Sequence, residues 1–220
     1  MKKLLSIFLA ALAVLSVSCN KDDSDNKIKY GADGVTPLPK AVDLGLSVKW
    51  ASFNLGASKE YEFGDYYAWG ETAPKNDYSL STYKYTGSAE TLEPSNDVAR
   101  VKLGGAWRMP TFDEIQELLA LQYNSDYTWA WTTAAGKGGK NVPGVRITHK
   151  FSGASMFIPA AGYCDGTSVG KNAGNESYYW TSTIYPKATE WAWSAKGSEA
   201  DLIVFTCDRF LGFPVRPVSE

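Results

Sequence analysis

The sequence predicts one domain of the α+β class, built from short, twisted antiparallel strands with few helices. A single segment has clear helical periodicity, whereas several shorter segments are rich in the β-branched and aromatic residues that favour strands. The 20 glycines and 10 prolines fall largely between these segments and predict turns and long connections. A length of 220 residues suits one domain better than two.

The N-terminus has the features of a secreted lipoprotein. Two lysines precede an apolar run at residues 4–17, which is shorter than the roughly 20 residues of a membrane-spanning helix. We therefore predict that residues 1–18 are a signal peptide. Residues 15–19, LSVSC, resemble a bacterial lipoprotein box, which implies that Cys19 is lipidated and becomes the first mature residue. The alternative is an ordinary signal peptide with an incidental cysteine.

Residues 19–39 predict a flexible, acidic tether. They contain a polar, charged run at 21–26 and then glycines and prolines that interrupt any regular element. The acidic run is similar to the signal that exports lipoproteins of Bacteroidota-type bacteria to the outer face of the outer membrane, although a solvated spacer has the same composition. The chain has 22 basic and 24 acidic side chains, and this balance argues against a nucleic-acid partner.

The globular domain is predicted to cover residues 40–220, and its first half contains the one clear helix. Residues 41–46 and 48–51 have strand character. The helix is predicted over residues 112–122, because Thr111 supplies an N-cap hydroxyl and Glu114 completes a capping box.

The second half of the domain is predicted to consist of strands. Alternation and residue type place them at 127–133, 144–148, 155–159, 178–183, 190–194, 202–206 and 213–218. The Ser-Gly pair at 152–153 predicts a hairpin between the second and third of these strands. Prolines in the last segment favour a strand end or a sheet edge.

Several motifs occur in order along this domain. They are VDLGLSVKWA at 42–51, GDYYAWGE at 64–71, GGAWRMPT at 104–111, PAAGY at 159–163, YWTST at 179–183 and VRPV at 215–218. With these motifs the chain resembles the Fibrobacter succinogenes major paralogous domain over about residues 41–218. That family is similar to the C-type lectin-like fold, in the branch shared with formylglycine-generating enzymes. The resemblance implies a compact α+β domain with a displayed face near its C-terminal strands, on a fold that hosts both catalysts and binders.

The sequence offers little for catalysis, and we predict neither an enzyme activity nor a cofactor. The single histidine, His149, is more typical of a structural or exposed residue than of a ligand. Once Cys19 is lipidated, Cys164 and Cys207 remain; they pair in an oxidising compartment or stay independent. Neither has surroundings similar to the active-site cysteines of formylglycine-generating enzymes.

A calcium-dependent sugar site is not expected either. Residues 93–97, EPSND, superficially resemble the Glu-Pro-Asn triplet of calcium-dependent lectins, but proline and asparagine are not adjacent. We expect Asp97 to cap a helix or bond backbone instead. Arg108 and Arg216 are expected to form structural ion pairs or backbone hydrogen bonds. Five tryptophans inside the motifs are expected in the core: Trp50, Trp69, Trp107, Trp129 and Trp180.

The segment from Tyr185 to Pro214 is unusually apolar, and period-two burial does not explain the run at residues 202–205. A fully buried strand is one explanation. The other is a binding face: the local frame is similar to the variable region of diversity-generating retroelement targets, in which adenine-directed mutation rewrites scattered codons. Aromatic anchors with polar neighbours suit such a face. We predict ligand contacts at Trp193, Ser194, Lys196, Asp201, Phe205, Cys207, Asp208, Phe210 and Leu211.

Together these features predict a lipoprotein anchored in the outer membrane at the cell surface. Its C-type lectin-like domain would act as an adhesin that binds a protein or glycan on another surface. We predict no metal site in this domain. The alternative is a fimbrial or envelope assembly subunit, which requires a broad apolar interface. A third hypothesis is an enzyme of the formylglycine-generating type.

Overall fold

The computed structural model describes residues 28–220. The predicted signal peptide, Cys19 and the acidic run of the tether lie outside these residues. Within residues 28–220, no helix has the length and apolar character needed to cross a membrane.

The described part of the chain contains two α-helices and twelve short β-strands. The helices are α1 (Val98–Leu103) and α2 (Phe112–Ala120). The strands are β1 (Ala41–Val42), β2 (Lys49–Ala51), β3 (Trp107–Arg108), β4 (Tyr127–Ala135), β5 (Asn141–His149), β6 (Ser155–Pro159), β7 (Tyr163–Asp165), β8 (Ser168–Lys171), β9 (Ser177–Ile184), β10 (Trp191–Gly197), β11 (Leu202–Asp208) and β12 (Val218–Ser219). Antiparallel strands and few helices confirm the predicted balance of elements.

Residues 28–220 contain four antiparallel sheets, with the orders β1-β2-β12-β3, β4-β5-β6, β7-β8 and β9-β10-β11. The first sheet joins the two ends of the domain, because Val218 of β12 pairs with Trp50 on one side and Arg108 on the other. The predicted hairpin forms between β5 and β6, with Thr148 opposite Ser155. The β9-β10-β11 sheet carries the segment predicted to bind a ligand.

The β9-β10-β11 sheet has apolar clusters on both of its faces. On one face, Trp180 and Ala192 belong to a cluster that includes Trp69 and Phe213. On the other face, Tyr179, Ala195 and Leu202 pack with the apolar side of α2. Trp180 stacks on Phe213 with ring centroids 4.2 Å apart. A sheet covered on both faces holds its strands rigidly in place.

Helix α2 begins as the sequence predicts. The Thr111 side chain accepts a hydrogen bond from the Glu114 backbone, and the Glu114 carboxylate accepts one from the Thr111 backbone. Glu114 also accepts two hydrogen bonds from Arg108, at 2.6 and 2.8 Å. Helix α2 ends at Ala120 and continues as a single 3₁₀ turn, Leu121–Tyr123.

The motif arginines and tryptophans have the predicted structural roles, with one tryptophan less buried than expected. Arg216 is buried and donates to the backbone oxygens of Ala51 and Phe157 at 2.9 and 2.7 Å. Trp69 donates its indole N–H to Thr181 O, at 2.8 Å. Four of the five motif tryptophans are buried, whereas Trp129 of β4 is half-buried.

The end of the predicted tether is part of the domain. Residues 31–36 form a turn whose backbone donates to the oxygens of Lys102 and Leu103, at the end of α1. Asp33 lies 3.6 Å from the Lys102 ammonium, and Leu38 packs against the core. The predicted boundary at Lys40 is therefore about ten residues too late, because contacts with α1 hold this glycine-rich segment in place.

Two further differences concern short elements. Helix α1 was not predicted, since its six residues are too few for a periodic pattern. Asp97 caps it by accepting from the Arg100 N–H, which confirms the capping role expected for this residue. The predicted strand at 213–218 is reduced to an isolated bridge between Phe213 and Tyr67 and to the short β12.

Candidate functional site

Strand alternation divides the predicted contact residues between the two faces of the β9-β10-β11 sheet. In the register of β10 and β11, Trp193 pairs with Thr206, and Trp191 pairs with Asp208. These four side chains share the face that carries α2, which we call the helix face. Lys196, Phe205 and Cys207 occupy the opposite face, so the predicted residues do not form one continuous surface.

The exposed end of the helix face carries a cluster of aromatic rings. Trp193 lies against Phe112, the first residue of α2, with ring centroids 4.3 Å apart. Tyr185 meets Trp193 edge-on at 5.1 Å and stacks with Trp191 at 6.1 Å. Trp191 is 40 % exposed and donates its indole N–H to Asp208 at 3.0 Å. The rings fix one another while parts of them remain open to solvent.

A groove of about 290 Å³ lies beside this aromatic cluster. Its lining comes from Glu90, Thr91, Thr111, Phe112, Asp113, Thr183, Ile184, Pro186 and Trp193. These residues belong to the loop before α1, the start of α2, the end of β9 with the connection that follows it, and β10. The volume lies at the lower end of the range of about 300–1,000 Å³ that is usual for small-ligand sites.

Backbone hydrogen bonds hold the walls of the groove in place. The Phe112 N–H donates to the Thr183 hydroxyl at 3.0 Å, which joins the start of α2 to β9. The Ile184 N–H donates to Glu90 O at 2.9 Å, and Thr91 forms a bridge with Thr183. The three segments are thus fixed before any ligand arrives, as pre-formed sites require.

The groove is acidic and has no cationic side chain in its lining. Glu90 and Asp113 are exposed, and neither forms an ion pair with another residue in the 28–220 range. The Thr111 and Thr183 hydroxyls each accept a backbone N–H. Within the described residues the Thr111 hydroxyl has no acceptor for its own hydrogen. The lining therefore combines free carboxylates, hydroxyl groups and aromatic surface.

A second depression, of about 440 Å³, lies near Gly70 and Tyr85. Two of its three charged side chains are paired with each other: Glu71 lies 2.9 Å from the Lys75 ammonium and also accepts the Lys84 backbone N–H. It is wide and open, and it contains none of the predicted contact residues. The groove beside Trp193 is the better candidate because it contains a predicted contact residue and its two carboxylates have no ion-pair partner among residues 28–220.

The predicted contacts on the opposite face are engaged with the domain itself. The Lys196 ammonium lies 2.6 Å from Glu176 and 5.5 Å from the centre of the Tyr178 ring. The hydrogen bond that Lys196 donates to the Glu176 carboxylate raises the pKa of Lys196. Phe205 and Cys207 are half-buried and pack against the core. The observed contacts of these side chains therefore stabilise the fold.

Ser194 is a correction, because it is fully buried. Its hydroxyl donates to Phe205 O across the β10–β11 pair, at 3.2 Å, so it cannot reach a ligand. Sequence alternation alone did not reveal that both faces of the sheet are covered at this point. Asp201 is exposed in the turn between β10 and β11, away from the groove lining.

Phe210 and Leu211 lie in the turn after β11, next to a buried arginine. Both are half-buried, and Leu211 packs against the core. Arg209 is 5 % exposed and donates to the Tyr83 hydroxyl and to the Gly87 backbone at 2.9 and 3.0 Å. This anchor fixes the turn to the loop that precedes α1.

The residues weighed for other chemistry have structural surroundings. His149 contacts the Ser152 hydroxyl at 2.7 Å in the β5–β6 turn. Cys164 and Cys207 are free thiols, so of the two alternatives the independent one is observed. Burial raises the pKa of Cys207 to about 11 and also raises that of Cys164. No cluster of three or more His, Cys, Asp or Glu side chains suited to a metal occurs among residues 28–220.

Of the predicted contact residues, Trp193 lines the groove and Asp208 bonds to Trp191 beside it; the other lining residues were not predicted. Phe112 and Asp113 were assigned to a helix start, and Tyr185 to the beginning of the unusual segment. Glu90 had no local signal, because contacts with the distant strand β9 bring it to the groove. The chain matches no family model, no curated protein and no solved structure. The family resemblance described above therefore stays a prediction.

Proposed function

We propose that this chain is a lipid-anchored surface protein whose C-type lectin-like domain binds a ligand in the groove beside Trp193. The observation that carries the proposal is the exposed aromatic cluster next to free carboxylates, on walls fixed by backbone hydrogen bonds. Large rigid rings supply most of the affinity in known interfaces, and polar neighbours set the orientation of the ligand. The ligand belongs to another surface and is a glycan or a protein.

The C-terminal segment supports the same proposal. Residues 185–214 supply Trp191, Trp193 and Asp208 to the helix face, on a scaffold made by the rest of the domain. Replacement of exposed residues in this segment would change the ligand without rebuilding the core. A diversity-generating retroelement would act in this way. DNA sequencing near the gene tests this part: a reverse transcriptase and a near-copy of these codons, differing at adenines, would support it, and the absence of both would remove it.

The anchoring part of the proposal rests on Cys19 and is tested separately. Cells that express the chain are labelled with radioactive palmitate, and intact cells are treated with protease. We expect label on the wild-type chain, none on Cys19→Ser, and digestion of the wild-type domain from outside. An unlabelled wild-type chain would contradict lipid anchoring, and full protection from protease would contradict surface display.

The binding part is tested with the purified mature chain on fixed Gram-negative and Gram-positive cells, whose surfaces present both glycans and proteins. Trp193→Ala should abolish binding. Asp113→Asn should weaken it while the aromatic packing stays intact. Tyr123→Ala is the matched control, because this tyrosine is 85 % exposed and lies outside the groove lining. Equal binding by all variants would show that the groove is not the site.

A further inference from the structure

The geometry points to a neutral saccharide as the ligand of the groove beside Trp193, bound without calcium. This inference rests on the proposed function and names its ligand class. Its starting point is the composition of the lining, which combines two aromatic side chains with carboxylate and hydroxyl oxygens. A pyranose ring has the same division, with a C–H face for aromatic contact and hydroxyl groups around its rim.

The aromatic wall is suited to one face of a sugar ring. Trp193 and Phe112 lie 4.3 Å apart with planes inclined by 35°, and Tyr185 supports Trp193 from its edge. Since neighbouring rings hold the indole in place, little side-chain entropy is lost when a ligand packs against it. The groove volume of about 290 Å³ admits a small ring rather than a bulky side-chain cluster.

The polar lining requires a ligand that both donates and accepts. Glu90 and Asp113 are carboxylates without ion-pair partners among residues 28–220, and a carboxylate only accepts. The Thr111 hydroxyl already accepts the Glu114 N–H, which leaves its hydrogen to donate. A hydroxyl-rich ligand satisfies both kinds of group at once, and carboxylate acceptors form the stronger bonds.

The charge of the groove selects against acidic and cationic ligands. An anionic sugar would meet two carboxylates with no cation in the lining. An ammonium ligand would satisfy the carboxylates but would leave the threonine hydroxyl without an acceptor. The nearest lysine in sequence, Lys187, is exposed and is not part of the lining. The balance of donors and acceptors therefore favours a neutral ring.

The test is calorimetric titration of the intact mature chain in detergent, with EDTA present. The neutral probes are cello-, manno-, xylo- and N-acetylchito-oligosaccharides; the acidic probe is oligogalacturonate and the cationic probe is deacetylated chitosan oligomer. We expect at least one neutral probe to bind and the charged probes to bind at least tenfold more weakly. Asp113→Asn should weaken the neutral probe about tenfold, Trp193→Ala by more, and Tyr123→Ala should leave it unchanged.

The outcomes separate this inference from the proposed function. If cells bind through Trp193 but no neutral probe binds or competes, the saccharide class is wrong and the groove remains the site. Preference for oligogalacturonate or chitosan oligomers would overturn the charge argument. A neutral probe whose affinity is the same for wild type, Asp113→Asn and Trp193→Ala would place the sugar elsewhere and overturn this inference, whereas the proposed function depends on the cell-binding assay.

Discussion

Arg209 offers the sharpest test of how the segment at residues 185–214 is held on the domain. Its guanidinium is buried and lies 4.6 Å from the centre of the Trp69 ring and 5.1 Å from that of Tyr85. It donates to the Tyr83 hydroxyl and to the backbone oxygens of Tyr85, Gly87 and Thr189. Within residues 28–220 it forms no ion pair, so the cation is compensated by aromatic faces and dipoles alone.

The expected cost of Arg209→Ala follows from these contacts. Arg209→Ala leaves the Tyr83 hydroxyl and three backbone oxygens without their donor, and each buried polar group left unsatisfied costs about 1–3 kcal/mol. We expect about 4 kcal/mol, which at about 2–4 °C per kcal/mol for a domain of this size lowers Tm by about 8–16 °C. A domain with about 5–15 kcal/mol of stability remains folded after this loss. Arg209→Lys should recover less than half, since an ammonium lacks the planar fork that reaches several acceptors.

Arg146 is a matched control for Arg209. It also lies over an aromatic ring, Phe157, at 5.0 Å, and it forms two hydrogen bonds to Glu60 at 2.7 and 3.0 Å. Its side chain is 30 % exposed and that of Glu60 is 40 % exposed, so the ion pair is worth at most about 1 kcal/mol. The assay is urea unfolding followed by tryptophan fluorescence. If Arg209→Ala costs no more than Arg146→Ala, burial does not determine the value of these contacts and the reasoning fails.

Three further outcomes are expected. Thr111→Ala should lower the free energy of unfolding by about 1 kcal/mol in urea, because the α2 cap is lost; an unchanged midpoint would contradict the capping role. Burial by itself would raise the pKa of Glu114, but the hydrogen bonds from Arg108 and Thr111 outweigh it and hold that pKa below its ordinary value. The ionised carboxylate therefore stabilises the domain above about pH 4.3, the pKa expected in the unfolded chain, and this contribution is lost as pH falls through the lower pKa of the folded state. Glu114→Gln should be less stable than wild type at pH 7, and its free energy of unfolding should fall less when the pH is lowered. Parallel curves of unfolding free energy against pH for the two proteins would refute the assignment. Cys164 and Cys207 should react with a thiol reagent at pH 8 much more slowly in the native than in the urea-unfolded chain, because burial raises both pKa values; rapid native labelling of Cys207 would reopen an enzymatic role.

The parts of the fold that the sequence predicts are those fixed by neighbouring residues. The start of α2 follows from Thr111 and Glu114, three positions apart, and the β5–β6 hairpin follows from a two-residue turn signal. Asp97 was expected to bond backbone, and it does. In each case the interaction that decides the structure lies within a few residues, so a single sequence contains it.

The candidate site depends on contacts between distant segments, which a single sequence does not contain. Phe112 and Thr183 are 71 positions apart, yet their hydrogen bond forms one wall of the groove. The docking of residues 31–36 on α1 has the same cause, since these glycine-rich residues have no apolar pattern of their own. Ser194 was misplaced because sequence alternation gives the side of a strand but not what covers that side.

The apolar run at residues 202–205 is explained by the two covered faces of the sheet. Leu202 and Val204 face the α2 side, whereas Phe205 packs against the opposite cluster, so successive residues are apolar without a period of two. The open end of the helix face combines aromatic surface with carboxylates that have no ion-pair partner among residues 28–220. It follows that a new ligand could be accommodated by changes around Trp193 and Asp208, while Leu202 and Phe205 must stay apolar. The apolar composition of this segment therefore serves two purposes: the run in β11 builds the core, and β10 supplies Trp193 to the groove.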